Sequence, residues 1–159
     1  MRTDSRLSRV LHVLLHMARH DGPMTSDYIA TMLDTNPVVV RRTMAGLREA
    51  GYVRSGAGKH GGWTIACDLR EVTLLDIHRA VGGPHLFAIG VDNAHPDCAV
   101  EKVVNQALGE ALQRAQALLI ESLGNVVLAD LARQFDQLCV AGGIKRHIIS
   151  TENDSTENG

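Results

Sequence analysis

The stretch TSDYIATMLDTNPVVVRRTMAGLREAG, residues 25–51, holds the signals that decide the fold. Thr25 or Ser26 can cap one helix, because a hydroxyl oxygen at that position accepts a hydrogen bond from a free backbone N–H. Asn36 followed by Pro37 is typical of a second helix start, since proline at the first helical position loses no hydrogen bond. The stretch therefore predicts two short helices joined by a tight turn.

The second of these helices is expected to run from Pro37 to Ala50 and to stop at Gly51, a typical residue just beyond a helix end. Its apolar residues recur at helical spacing and form one inward stripe, made of Val40, Met44 and Leu47. Two adjacent arginines lie outside that stripe. A helix-turn-helix of this kind indicates DNA binding. The residues that we expect to face the major groove are Asn36, Val38, Val39, Arg41 and Arg42.

The segment GAGKHGGWTIA, residues 56–66, contains four glycines and the only tryptophan of the chain. A phosphate-binding loop would need the spacing G-x-x-x-x-G-K-[ST], whereas this lysine follows only Gly-Ala-Gly and precedes no serine or threonine. The β-rich runs 51–55 and 63–66 flank the glycines and predict a hairpin. We interpret the hairpin as the wing of a winged helix, with Lys59 and His60 on the flanking DNA backbone. Trp63 is expected to anchor the wing to the helices, and a ligand-stacking role is the alternative.

A first helix is predicted from Arg6 to His20. Its apolar positions recur at steps of three and four residues: Leu7, Val10, Leu11, Leu14, Leu15 and Ala18. His12, His16 and His20 have a spacing on this helix that can chelate a metal ion. No cysteine or acid occupies a matching step, so half-exposed helix histidines are the favoured interpretation.

A long helix of about 26 residues is predicted from Pro96 to Leu123, after a short helix over 74–81 that Thr73 caps. At 1.5 Å per residue it would be about 40 Å long. Because this exceeds the size of the winged domain, much of its apolar face has no partner within one chain. The residues that we expect at a dimer interface are Val104, Leu108, Ala111, Leu112 and Leu119.

The expected fold class is mainly α with a small β-hairpin wing: a winged helix-turn-helix domain plus a long dimerisation helix. Residues 1–83 would form the DNA-binding domain and residues 84–97 a loop. Residues 98–140 would form the dimerisation helices, the second of them at about 127–138. Residues 149–159 are polar and are expected to be a disordered tail.

Charge is distributed unevenly along the chain. Residues 1–66 contain nine Lys and Arg against five acids, a net of +4, whereas the remaining residues have a net of −6. A basic N-terminal part suggests an anionic partner, and ordinary charge scatter is the alternative. No apolar run is long enough to span a membrane, and MRTDSRLSRV is not a signal peptide, so we expect a cytoplasmic protein.

The cysteines, at 67, 98 and 139, are odd in number and widely spaced, which argues against a disulfide framework and against a zinc-type pair. Cys98 lies beside His95 and Asp97 at the start of the long helix, where the helix dipole favours a thiolate. A redox-sensing thiol and a quiet buried cysteine are both open for this position. No catalytic set is recognisable from spacing, so the sequence does not predict an enzyme.

Two motifs resemble the Rrf2 family of bacterial winged-helix regulators, which has iron–sulfur, nitric-oxide-sensing and cysteine-metabolism members. They are L-R-x-A-G-Y-V-x-S-x-x-G-x-x-G-G-W-x-I-A at 47–66 and V-T-L-L-D-I-x-R-A-V-G-G at 72–83. The resemblance covers about residues 5–140. It implies a homodimeric DNA-binding repressor whose long helix pairs with its two-fold mate.

The chain departs from that family pattern in two places. Ala57 occupies a wing position where the family often has an arginine for the minor groove, although Lys59 can still contact a phosphate. Cluster-binding members have three cysteines before the long helix, and here Cys98 corresponds to the last of them. The chain thus resembles the cluster-free subgroup whose helix opens H-P-x-C, and no metal or other cofactor is expected.

These observations favour a dimeric winged helix-turn-helix transcription factor, a repressor that binds a two-fold symmetric operator without an iron–sulfur cluster. One alternative is a helical protein–protein adaptor that kept the fold and lost DNA affinity, which the acidic C-terminal half and the missing wing arginine favour. Another is a thiol-based redox sensor with weak DNA binding. A metal- or haem-binding sensor enzyme is a further alternative.

Overall fold

Six helices and one two-stranded antiparallel sheet make up the described part of the chain. The computed structural model describes residues 5–58, 61–83, 87, 90, 91 and 98–142. In chain order the elements are α1 (Arg6–Arg19), α2 (Ser26–Met32), α3 (Pro37–Glu49), β1 (Val53–Gly56), β2 (Gly62–Ile65), α4 (Leu74–Ala80), α5 (Ala99–Gly124) and α6 (Leu128–Ala141). The predicted fold class, mainly α with a β-hairpin wing, is confirmed.

The ends of α2 and α3 follow the predicted local signals. Thr25, one of the two candidate caps, accepts a hydrogen bond on its hydroxyl oxygen from the Tyr28 backbone N–H at 3.2 Å. Asn36 Oδ1 accepts one from the Val38 backbone N–H at 2.7 Å. Beyond the end of α3, Gly51 has a φ of +83°, a conformation that favours glycine. Local chemistry therefore determines where the second helix of the pair begins and ends.

The core lies where α1, α2, α3 and α4 meet. All three residues of the predicted α3 stripe are buried: Val40, Met44 and Leu47. In α1 the buried face is rotated from the predicted stripe, because Val13 and Met17 are buried while Ala18 is exposed. Apolar residues occupy most sides of α1, so the neighbouring helices decide which side is covered.

The hairpin is fixed to the helices by Trp63, as predicted. Strands β1 and β2 are antiparallel, with Ser55 opposite Trp63. The Trp63 backbone exchanges hydrogen bonds of 3.0 and 2.9 Å with the backbone of Met24, before α2. Its indole Nε1 donates to Ser26 Oγ at 3.0 Å, and the side chain is only 7% exposed. The wing therefore keeps a defined position beside the helix-turn-helix.

A capping box starts α4. Thr73 Oγ1 accepts a hydrogen bond from the Asp76 backbone N–H at 3.2 Å, and the Asp76 carboxylate accepts one from the Thr73 backbone N–H at 2.9 Å. The hydrogen bond from the Thr73 backbone, with that from its hydroxyl, holds the pKa of Asp76 below its usual value. The negative charge therefore stabilises the folded state above the pKa of an unfolded aspartate, roughly 4.

We expect Asp76→Asn to lower the free energy of unfolding by about 1 kcal/mol at pH 7. The difference should shrink below roughly pH 4, because protonation of Asp76 removes the same charge from the parent as the pH falls through the folded-state pKa. Urea unfolding at pH 7 and pH 3 measures both quantities. Asp27→Asn removes an acid from the first turn of α2 and controls for the change in net charge. An equal gap between Asp76→Asn and the parent at both pH values would contradict the prediction.

The long helix α5 contains exposed and half-buried residues only. It has 26 residues and is therefore about 40 Å long, and none of its residues, all of them described, is buried. Its end at Gly124 matches the predicted break. Its start is at Ala99 with Cys98 as the N-cap residue, whereas the sequence predicted a start at about Pro96; residue 96 lies outside the described residues.

The start of α6 is part of the core of the winged region. Leu128 is 1% exposed, and its backbone N–H donates to the Val72 carbonyl at 2.9 Å. The Leu74 N–H donates to the Val126 carbonyl at 2.9 Å, so residues 126–129 pair with the segment before α4. Further along α6, Asp136 forms an ion pair with Arg19 of α1. The division of the chain into a DNA-binding domain and dimerisation helices stays a prediction. Although α6 is one of the predicted dimerisation helices, it contacts the predicted DNA-binding domain.

Within the described residues, every helix is too short or too polar to cross a membrane. Most of the predicted loop 84–97 and all of the predicted tail 149–159 lie outside the described residues.

Candidate nucleic-acid interface

The packing of α3 determines which of its side chains face outward. Because Val40, Met44 and Leu47 point into the core, the opposite face of α3 carries Val38 and Arg42, one helical turn apart. The remaining predicted contact residues lie at the flanks of that face. All five predicted contact residues are exposed: Asn36, Val38 (62%), Val39 (49%), Arg41 and Arg42. All five predicted residues of this segment are thus exposed around the N-terminal half of α3, and this surface is here called the α3 outer face.

The position of α3 is also fixed by close packing against α4. A Cβ atom at Gly46 would lie 2.6 Å from the carbonyl oxygen of Ala80 in α4, so only glycine allows the two helices to approach this closely. The tight turn that connects α2 to α3 contains Asp34 at a φ of +48°. The α3 outer face therefore belongs to a helix that packs against both α2 and α4.

The two arginines of the α3 outer face are available to an anionic partner. Within the described residues, neither Arg41 nor Arg42 pairs with a carboxylate. Free guanidinium groups on a helix can bind phosphate oxygens or the guanine edge in the major groove. The electrostatics of the α3 outer face therefore suit a nucleic acid.

Two polar side chains near the arginines are already engaged. Asn36 Oδ1 accepts the capping hydrogen bond from Val38, and the Thr43 hydroxyl donates to the Val39 carbonyl at 3.0 Å. Both bonds lie within α3 and its cap. The groups that remain for outside contacts on this face are the arginines, the amide N–H groups of Asn36 and the exposed valine side chains.

Arg48 is a cation that the predicted contact list omitted. It lies seven residues after Arg41, on the same side of α3, and its Nη1 donates to Ser55 Oγ of β1 at 3.5 Å. Arg54, also in β1, is exposed and donates from Nε to Thr64 Oγ1 at 3.1 Å. The spacing of seven residues in the sequence could have placed Arg48 beside Arg41. The predicted wing contacts Lys59 and His60 lie outside the described residues.

The three cysteines lie on different elements. Cys98 is exposed at the N-cap of α5, and its side chain makes no capping hydrogen bond. Cys139 is buried in α6, and Cys67 is half-buried after β2, where burial raises the pKa of its thiol. Cys139 is thus an interior residue, and Cys67 packs against the core. Within the described residues there is no group of three or more His, Cys, Asp or Glu side chains that could hold a metal ion.

The histidines of α1 take part in ring packing. The rings of His12 and His16 stack with their centroids 4.8 Å apart, and His16 meets the edge of Phe135 from α6 at 5.4 Å. Burial, followed by the charges of His12 and Arg19, lowers the pKa of His16. His20 lies apart from this pair, beside Tyr28. The spacing that could chelate a metal ion thus serves the contact between α1 and α6.

The apolar face of α5 is largely uncovered in one chain. Val104 is 47% and Leu108 41% exposed, and Ala111 is also exposed, whereas Leu112 and Leu119 are half-buried. Val100, Val103 and Leu118 extend the exposed apolar surface along the helix. Apolar surface of this extent typically marks an interaction site.

The sequence of this chain matches a known protein family. The Rrf2 family model, described as an iron-dependent transcriptional regulator, matches residues 3–134. A candidate HTH-type transcriptional regulator of Bacillus subtilis, YwnA, is 34% identical over 129 residues, which cover 80% of this chain and 95% of YwnA.

Solved structures give the same fold. CymR of B. subtilis, described as its global cysteine regulator, superposes with a TM-score of 0.62 at 23% identity, covering 84% of this chain and 98% of CymR. IscR of T. potens superposes with a TM-score of 0.61 at 23% identity, covering 87% of this chain and 90% of IscR.

Proposed function

The chain belongs to the Rrf2 family of DNA-binding transcriptional regulators, and from this premise we propose that it is a homodimeric repressor of a two-fold symmetric operator that works without an iron–sulfur cluster. Each protomer contributes one α3 outer face to the major groove, through Asn36, Val38, Val39, Arg41 and Arg42, and Lys59 and His60 of the wing bind the flanking backbone. A dimer places two such helices about one turn of DNA apart.

The observation that carries the proposal is that the positive charges of Arg41 and Arg42 are exposed and unpaired within the described residues. Both are exposed on the second helix of a helix-turn-helix, and within the described residues neither is neutralised by an acid. Arg48, on the same side of α3 and beside the wing, extends this positive surface toward β1. A positive surface that connects α3 to the wing fits the course of a DNA backbone.

We expect Arg41→Ala and Arg42→Ala each to weaken binding to the operator. A base-reading arginine should cost roughly 1–3 kcal/mol and relax specificity at one position, whereas a phosphate contact should reduce the salt slope by about one. Gel-shift titrations on the upstream region of its own gene at two salt concentrations separate these roles. Arg70→Ala is the matched control, because Arg70 is exposed and ion-paired with Asp68 away from α3.

Parent-like binding by both variants at both salt concentrations would contradict the role of α3. Failure of the parent to prefer any duplex would instead favour the helical protein–protein adaptor.

The homodimer is supported by the uncovered apolar face of α5. That face includes Val104 and Leu108, which are close to half exposed in one chain. A second copy supplies an identical apolar helix about 40 Å long, and a two-fold pairing places the same residues against each other. The dimer interface that we propose is Val104, Leu108, Ala111, Leu112 and Leu119.

The iron dependence in the family description does not suit the donors of this chain. An iron–sulfur cluster is held by four ligands, mostly cysteine thiolates. Of the three cysteines, Cys139 is buried within α6 and Cys67 is half-buried after β2, which leaves Cys98 as the one exposed thiol. These residues do not fit a cluster, so we propose regulation without one.

We expect the protein purified under anaerobic conditions to be colourless and to bind its operator in that form. Absorption between 300 and 700 nm, with iron and sulfide analysis, is the measurement. A brown protein with stoichiometric iron and sulfide would contradict the cluster-free proposal.

A thiol-based redox sensor is the second candidate function, favoured by the exposure of Cys98 and by its free side chain at the start of α5. We expect peroxide to change operator binding in the parent and to have no effect in Cys98→Ser. Cys67→Ser controls for oxidation of a half-buried thiol. An undiminished peroxide response in Cys98→Ser would exclude Cys98 as the sensing thiol.

A further inference from the structure

Two valines of the α3 outer face are exposed although their side chains are apolar. Val38 is 62% and Val39 49% exposed, whereas the apolar stripe of the same helix, Val40, Met44 and Leu47, is buried. Resting on the proposed function, we propose that Val38 and Val39 read the 5-methyl groups of thymine in the major groove, so that each operator half-site contains thymine opposite the first turn of α3.

The position of the valines on α3 suits base contact. They are the second and third residues of the helix, and the first turn of a recognition helix is the part that meets base edges. The Asn36 cap, with its bond of 2.7 Å to the Val38 N–H, holds this turn in place. Val38 also shares its face with Arg42, one turn further on, so a base contact and a cation lie side by side.

The polar alternatives on the same turn are restricted. An asparagine that reads adenine uses its Oδ1 as acceptor and its amide as donor, but Asn36 Oδ1 already accepts the capping bond. The Thr43 hydroxyl donates to the Val39 carbonyl. Asn36 keeps its amide N–H groups as donors, and the two valine side chains are the exposed apolar groups of this turn. In the major groove the apolar group of a base is the thymine methyl.

Valine is suited to this contact because its side chain is already ordered. A β-branched residue in a helix has one strongly preferred rotamer, so its methyl groups lose little freedom when they meet a base. Val38 is the more exposed, while Val39 also lines a shallow apolar pocket with Val10 and Val40 between α1 and α3. We therefore expect Val38 to make the larger contribution.

Replacement of thymine by deoxyuridine tests the contact by removing the methyl group alone. The full-length protein would first select its preferred duplex from a random pool, and each thymine of that duplex would then be replaced singly. Burial of one methyl group corresponds to about a fourfold change in affinity, so replacement at both half-sites should weaken binding about fifteenfold. The sensitive positions should be one or two per half-site.

The same duplexes measured with Val38→Ala and Val39→Ala show which side chain meets the methyl group. Each variant should bind the thymine duplex more weakly than the parent and should lose its sensitivity to deoxyuridine at one position. Val140→Ala is the matched control, since Val140 is 81% exposed on α6. It should keep the full deoxyuridine effect of the parent.

Equal affinity of the parent for thymine and deoxyuridine duplexes would overturn the inference while leaving the proposed function intact. Methyl dependence that is unchanged from the parent at every sensitive position in both valine variants would also overturn it. If the selection enriches no sequence, the proposed function fails and the inference falls with it.

Discussion

Leu112→Glu should convert the protein from a dimer into a monomer or an aggregate. Leu112 lies in the middle of the apolar face of α5 that we propose as the dimer interface, and it is half-buried even in one chain. Glutamate there would bury an unpaired carboxylate against the same carboxylate of the symmetry mate. Burial of this kind costs several kcal/mol, and each ~1.4 kcal/mol weakens the dimer about tenfold. Sedimentation equilibrium measures the result.

The matched control is Gln113→Glu, which adds the same charge to an exposed neighbouring position of α5. That variant should remain dimeric and keep its operator affinity. A clean dimer of Leu112→Glu at the concentration where the parent is dimeric would exclude this face and point to another interface. Because a two-fold operator needs both α3 helices, loss of the dimer should also remove high-affinity binding.

Leu128→Ala should destabilise the protein by about 2–5 kcal/mol, the range for removing a buried leucine side chain. Leu128 is 1% exposed in the core of the winged region although it belongs to α6. The cavity would lie where residues 126–129 pair with the segment before α4, so relaxation around it is limited by the backbone hydrogen bonds of both segments. Urea unfolding at a fixed protein concentration measures the change.

Leu138→Ala provides the matched control on the same helix, since Leu138 is 71% exposed. Its change in the free energy of unfolding should be within about 0.5 kcal/mol of the parent. If the two leucine variants unfold at the same urea concentration, the start of α6 is not part of the cooperative core.

The sequence alone determined the helix-turn-helix and the wing, because the signals for both are local. The Asn36 cap, Pro37 and Gly51 act within a few residues of the positions that they fix, and the buried stripe of α3 follows from helical period. The outward direction of Arg41 and Arg42 follows in turn from that stripe. Trp63, the only tryptophan of the chain, was expected to anchor the hairpin, and its indole donates to Ser26 of α2.

Only the tertiary structure decided which side of α1 is buried and where α6 begins its packing. Since α1 is apolar on most sides, its pattern fits more than one buried face, and contact with its neighbours selects Val13 and Met17 over Ala18. The pairing of residues 126–129 with 69–74 joins segments that are more than fifty residues apart, and no local pattern encodes such a contact. The ring packing of the α1 histidines could not be predicted for the same reason. Phe135 of α6 lies beside His16 only in the folded chain.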